Sequence, residues 1–130
     1  MKQFEFNKMG VCNNPNVLSK DYGGGVHWRI KTGYVEGFGW CYGYDVNTAN
    51  PSSGVPCCTP YEPEGMTEEQ AVMEAARHVL LFLDQNKRGL AGESEHTIGY
   101  YPKKMYEDVK HLTKPTLFTK VDTRNTKNKL

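Results

Sequence analysis

The sequence predicts an α+β fold: an antiparallel β-sheet with a glycine- and aromatic-rich hairpin, covered on one face by a long amphipathic helix, plus a shorter C-terminal helix. Three observations predict it. From Val26 to Val46 bulky residues alternate with polar or small ones, the period of a strand buried on one side. From Thr67 to Arg88 apolar residues recur at helical spacing. The helical stripe carries alanines where the strands carry rings, so large can pack against small.

The elements follow in order. Gln3–Asn7 puts Phe4 and Phe6 on one face and polar residues on the other, as in a half-buried strand. Asn13-Asn14-Pro15-Asn16 and Gly23-Gly24-Gly25 then mark a loop. Val26–Ile30 and Tyr34–Val46 form a hairpin around Lys31-Thr32-Gly33, with Gly33 where a left-handed backbone is needed. One hairpin face carries Trp28, Ile30, Tyr34, Phe38, Trp40 and Tyr42; the other holds His27 and Arg29 and is otherwise nearly bare, with Gly37, Gly39 and Gly43. Residues 47–65 are rich in proline and read as a long loop.

The helix opens with a capping box, Thr67 with Gln70, and acidic Glu68 and Glu69 suit its positive end. Lys87 and Arg88 suit its other end, and Gly89 stops it. Val72, Ala75, Ala76, Val79 and Leu83 share its buried face. Thr97–Tyr101 reads as a short strand, Pro102 opens a second helix through Leu112 with Met105 and Val109 inward, and Thr116–Val121 reads as a last strand. The expected organisation is a single domain over 1–121 and a polar, frayed tail over 122–130.

Sixteen basic residues against fifteen acidic ones leave a net charge of +1, which excludes a strongly basic or strongly acidic molecule as a whole. The charge is segregated, however: acids dominate 61–95 and lysines dominate 102–130. Such stretches attract each other within a chain or across a homodimer, or recruit an anionic partner. The longest apolar run, Val79–Leu83, is too short to span a bilayer, so no membrane is expected. Met1–Gly10 alternates apolar and polar residues and builds no secretory h-region, which predicts a cytoplasmic protein with reduced cysteines.

The four cysteines lack the short knuckle spacing of a structural zinc site, and neighbours such as Cys57 and Cys58 diverge on an extended backbone. Free thiols are therefore expected, with no metal and no cofactor; Cys41 reads as a small packing residue. The Gly23–Gly25 run precedes a strand, whereas a phosphate cradle needs a following helix. Glu93, Glu95 and His96 offer acid–base residue types, but adjacency in sequence is not catalytic geometry, and no nucleophile elbow or zincin helix is present.

What remains for function is the surface the core leaves over. The candidate partner-binding residues are His27 and Arg29 on the bare strand face, with Tyr100, Tyr101, Lys103 and Lys104 at the start of the second helix. Lys103 and Lys104 stand where a helix end favours an anion, unless Glu107 and Asp108 offset them.

Gly39-Trp40-Cys41-Tyr42-Gly43-Tyr44-Asp45-Val46, the Pro/Cys loop and the helix Glu68–Leu83 together resemble small uncharacterised proteins of bacteriophages and mobile elements. The resemblance covers about half the chain and carries over no catalytic residue. It implies a setting in which small non-enzymatic proteins block or redirect host machinery. The expected function is thus a binding protein acting stoichiometrically on a host or mobile-element protein, with anti-defence inhibition as one form. Two alternatives are a nucleic-acid-binding module using the basic C-terminal third, and a small enzyme or metal protein using the cysteine-bearing loop.

Overall fold

Four strands form an antiparallel meander: β1 (Asn16–Asp21), β2 (His27–Val35), β3 (Gly39–Asn47) and β4 (Ser52–Val55), each paired with the next in sequence. The computed structural model describes residues 2–48, 52–57, 66–86, 97–98 and 101–114. Across the sheet α1 (Glu68–Gln85) packs on β2 and β3. A two-residue pair, β5 (Thr97–Ile98) with β6 (Tyr101–Pro102), leads into α2 (Lys103–Leu112), which packs on α1. The α+β class and the helix-on-sheet arrangement are therefore as the sequence predicts. The expected strand Thr116–Val121, the tail 122–130 and the helix stop at Lys87–Gly89 lie outside the described residues.

The register fixes which side chains share a face. Trp28 lies opposite Val46, Ile30 opposite Tyr44, Thr32 opposite Tyr42 and Tyr34 opposite Trp40. This face meets α1: Trp28, Ile30 and Val46 form one buried cluster with Val72, Ala75, Ala76, Val79 and Leu83. Val79 and Leu83 are fully buried, and each such side chain contributes about 1.5–3 kcal/mol. Glu68, in the first turn of α1, ties the helix to the sheet: it accepts hydrogen bonds from Thr32 Oγ1 and Asn16 Nδ2, both at 3.1 Å.

Local signals set the ends of α1. The capping box forms as predicted, Gln70 N–H donating to Thr67 Oγ1 and Thr67 N–H to Gln70 Oε1. The C-terminus comes sooner than expected. Asn86 leaves helical geometry, and its backbone and side-chain N–H groups both satisfy Phe82 O.

The hairpin turn is Glu36-Gly37-Phe38, five residues past the predicted Lys31-Thr32-Gly33, which lies inside β2. Gly37 has φ 89°, the left-handed conformation such a turn demands. Gly33 instead leaves room for the side chain above it: a Cβ there would stand 3.2 Å from Cys12 Sγ, a tight contact. Phe38 consequently sits in the turn, and Trp40 is half-buried edge-on to Phe4 and Tyr34 rather than in the helix-facing cluster.

Two strands lie where loops were predicted. β1 is an edge strand exposed along most of its length and so lacks apolar alternation. β4 interrupts the expected 47–65 loop, and its Ser-Ser-Gly-Val sequence has no apolar rhythm at all. Gln3–Asn7 does alternate in burial, but it bridges only at Phe6–Cys12 and builds no ladder. The single strand predicted at Thr97–Tyr101 is the β5–β6 pair.

Candidate functional site

The sheet face turned away from α1 divides into a closed half and an open half. The closed half surrounds Gly33, Cys41 and Gly43. Here Cys12, Cys41 and Cys57 form a second small core, packed by Phe4, Phe6 and Val35. The N-terminal segment is pinned to the chain beyond β4 by the Cys12 N–H bond to Cys57 O, 2.8 Å. Glycine at 43 is what lets that chain lie down: a Cβ would come within 2.3 Å of Cys57 N. The nearly bare face read from the sequence is thus covered over this half, by backbone.

The open half is polar. His27, Arg29 and Lys31 alternate along β2, and register sets Asn47, Asp45 and Gly43 opposite them on β3. With β4 as its wall they line an open groove of about 620 Å³, floored by His27, Arg29, Lys31, Asp45 and Asn47. A smaller depression on the other side of His27 and Arg29 reaches Ser19 and Asp21 of β1.

These side chains are held in place. Asp45 Oδ2 forms ion pairs with Arg29 Nε at 3.4 Å and with Lys31 Nζ at 3.2 Å. His27 Nδ1 donates to Gly25 O at 2.9 Å, leaving Nε2 to accept from Arg29 Nη2 at 3.2 Å. Asn47 Nδ2 donates to the same Gly25 carbonyl at 2.7 Å. The groove therefore presents oriented donors beside one carboxylate and Ser52, which shares a face with Asn47, a surface for polar recognition. Among the described residues, no three His, Cys, Asp or Glu side chains stand close enough to share a metal ion, and no helix is long and apolar enough to cross a membrane.

No protein-family model matches this sequence, and no curated protein or solved structure matches it either. The site rests on its own geometry.

The six residues singled out from the sequence do not form one surface. His27 and Arg29 lie together in the groove. Lys103 and Lys104 are exposed on α2, which packs on the opposite side of the sheet. Tyr101 is not a surface residue: it is 1% exposed, and its hydroxyl donates to Leu83 O at 2.7 Å. The hydroxyl joins Asn86 N–H on Leu83 O and so closes the end of α1. Tyr100 lies outside the described residues, as do Cys58, Glu93, Glu95 and His96. Asn47 and the β4 serines fall within the 47–65 loop that the sequence also offers as exposed functional surface, whereas Lys31 and Asp45 were missed. The signal for Lys31 was the continuation of the His27–Arg29 alternation through a segment that reads as a turn.

Lys104 belongs to a structural network. Asp108 pairs with it at 3.0 Å and with Lys20 at 3.2 Å, and accepts from the Tyr22 hydroxyl at 2.8 Å. Tyr22 in turn accepts from Trp28 Nε1 at 2.9 Å, so the chain of bonds runs from α2 to the core. Burial pushes the Asp108 carboxyl up, but Tyr22, Lys104 and Lys20 together outweigh it and hold the group below its ordinary range. Burial, then the bond to Asp108, raises the Tyr22 phenol.

A carboxylate depressed in the folded state stabilises the protein above its unfolded pKa, about 3.9, and that contribution is lost as pH falls through the lower folded value. Urea midpoints measured from pH 6 down to pH 2 should therefore fall more in the wild type than in Asp108→Asn. At pH 6 the variant should be less stable by about 1.5 kcal/mol, the low end for hydrogen bonds to a charged group, because the amide oxygen still accepts from Tyr22. Parallel pH profiles would show that Asp108 carries no linked stability.

Proposed function

We propose that this chain is a small non-enzymatic binding protein that engages a protein partner through the open polar half of its sheet. The observation that supports it is the groove itself: His27, Arg29 and Lys31 are pre-oriented by Asp45 and Gly25, uncovered by either helix, and walled by an exposed strand. Pre-oriented polar groups lower the ordering cost of an interface and set its specificity. In the bacteriophage or mobile-element setting that the resemblance implies, the partner is a host or mobile-element protein bound one to one, and anti-defence inhibition is a form such binding takes.

The test is affinity capture from nuclease-treated host extract, run with the wild type, with Arg29→Glu and with Lys103→Glu. Arg29→Glu should reduce capture of a stoichiometric partner by at least tenfold while circular dichroism keeps the native signature, the like charge opposite Asp45 costing no more than about 1 kcal/mol. Lys103→Glu should bind as the wild type does. If capture depends instead on Lys103, disappears with nuclease and weakens steeply with salt, the chain is a nucleic-acid-binding module using its basic α2 surface.

A further inference from the structure

The closed half of the sheet holds a pair of groups the binding reading leaves unused. Cys41 Sγ and Cys57 Sγ lie 3.7 Å apart, both buried, on residues sixteen apart in sequence. We propose that Cys41 and Cys57 are a redox-responsive dithiol that oxidises to an intrachain disulfide and thereby fastens the chain beyond β4 to β3.

The geometry needs little change. A disulfide has its sulfurs about 2.05 Å apart, so the two must approach by less than ~2 Å. Both backbones are already fixed: Cys41 sits in the β2–β3 ladder opposite Gly33, and Cys57 is held by Cys12 N–H and by its close seat on Gly43. Side-chain rotation supplies the rest. The present contacts are weak ones that a bond can replace, Cys41 Sγ donating to Gly33 O at 3.4 Å and Cys57 Sγ approaching Cys41 O at 3.9 Å. The hydrogen bond from Cys57 also lowers the Cys41 thiol below its ordinary value, which favours the thiolate that attacks.

The oxidant is a low-molecular-weight disulfide such as oxidised glutathione. The Cys41 thiolate attacks one of its sulfurs and releases one glutathione thiolate; the Cys57 thiolate then attacks the mixed disulfide at Cys41 and releases the second. Two protons and two electrons leave the protein, and two molecules of reduced glutathione form. The new bond closes a loop containing β4, so the wall of the groove is tied to its floor. That effect on binding rests on the reading proposed above; the disulfide does not.

The experiment incubates the full chain in glutathione buffers of rising oxidised fraction and counts thiols in denaturant. Two of the four thiols should disappear in one step. Proteolysis before Asp45 separates the two cysteines, and the fragments should stay joined until a reductant is added. Cys58→Ser should still lose two thiols, whereas Cys57→Ser and Cys41→Ser should lose none. Four thiols persisting in the most oxidising buffer would overturn the proposal, as would fragments that separate without reductant. If a serine variant fails to fold, the fragment map of the wild type decides alone.

Discussion

Tyr101→Ala should destabilise the protein by roughly 3–5 kcal/mol, the range for removing a buried aromatic ring. Domains of this size have only about 5–15 kcal/mol in total. The side chain is 1% exposed and shares the main cluster with Leu83, Met105 and Val109, so its loss opens a cavity where α1 and α2 meet. Tyr101→Phe separates the ring from the hydroxyl. It should cost about 1 kcal/mol, the net worth of one hydrogen bond, since Leu83 O still accepts from Asn86 N–H. Urea denaturation of both variants measures the difference. If alanine costs no more than phenylalanine, the ring is not packed as described.

Gly43→Ala should cost roughly 2–3 kcal/mol, the upper part of the usual range for overpacking. The added methyl would meet backbone atoms of Pro56 and Cys57 at 2.3–2.6 Å, and backbone cannot rotate aside as a flexible side chain does. The chain beyond β4 must lift, and with it the Cys12 and Cys57 contacts that hold the N-terminal segment. Hydrogen exchange should then show faster exchange at Cys12 N–H while the α1 amides keep their protection. Unchanged exchange at Cys12 would mean that the two segments are not coupled through Gly43.

Such couplings explain what the sequence could and could not reveal. α1 was legible because its signals are local: Thr67 caps Gln70 within one turn, and the Val72–Leu83 stripe repeats at the helical period. The heavy strand face was legible for the same reason, even with the turn misplaced by five residues, because both turns are three residues long and so set even-numbered residues opposite even-numbered ones. The turn itself was not. Lys31-Thr32-Gly33 has turn composition, and the reason for its glycine, the approach of Cys12, comes from a segment twenty residues away. β4 was hidden similarly: Gly54 fits against the backbone and carboxylate of Asp45, a match no periodicity records.

The site divided along the same line. His27 and Arg29 could be found from alternation alone. Lys104 could be matched to Asp108 by helical spacing, but the bond from Tyr22 to Asp108 joins residues remote in sequence. Tyr101, next to two lysines, has the neighbours of a surface residue; its burial depends on the end of α1 arriving above it.

Among the described residues the sheet ends on β1 and β4, and an outermost strand is where molecules zip together into larger assemblies. Both strands blunt that tendency. β1 carries Lys20 and Asp21, which would bring charge against charge if two copies met, and β4 is four residues long and runs directly into Pro56, which has no N–H to offer. The price is a surface with few apolar anchors, Val17 and Val55 being the exposed exceptions on these strands apart from Leu18. A sheet open on one side thus presents two edges ill suited to pairing with further strands.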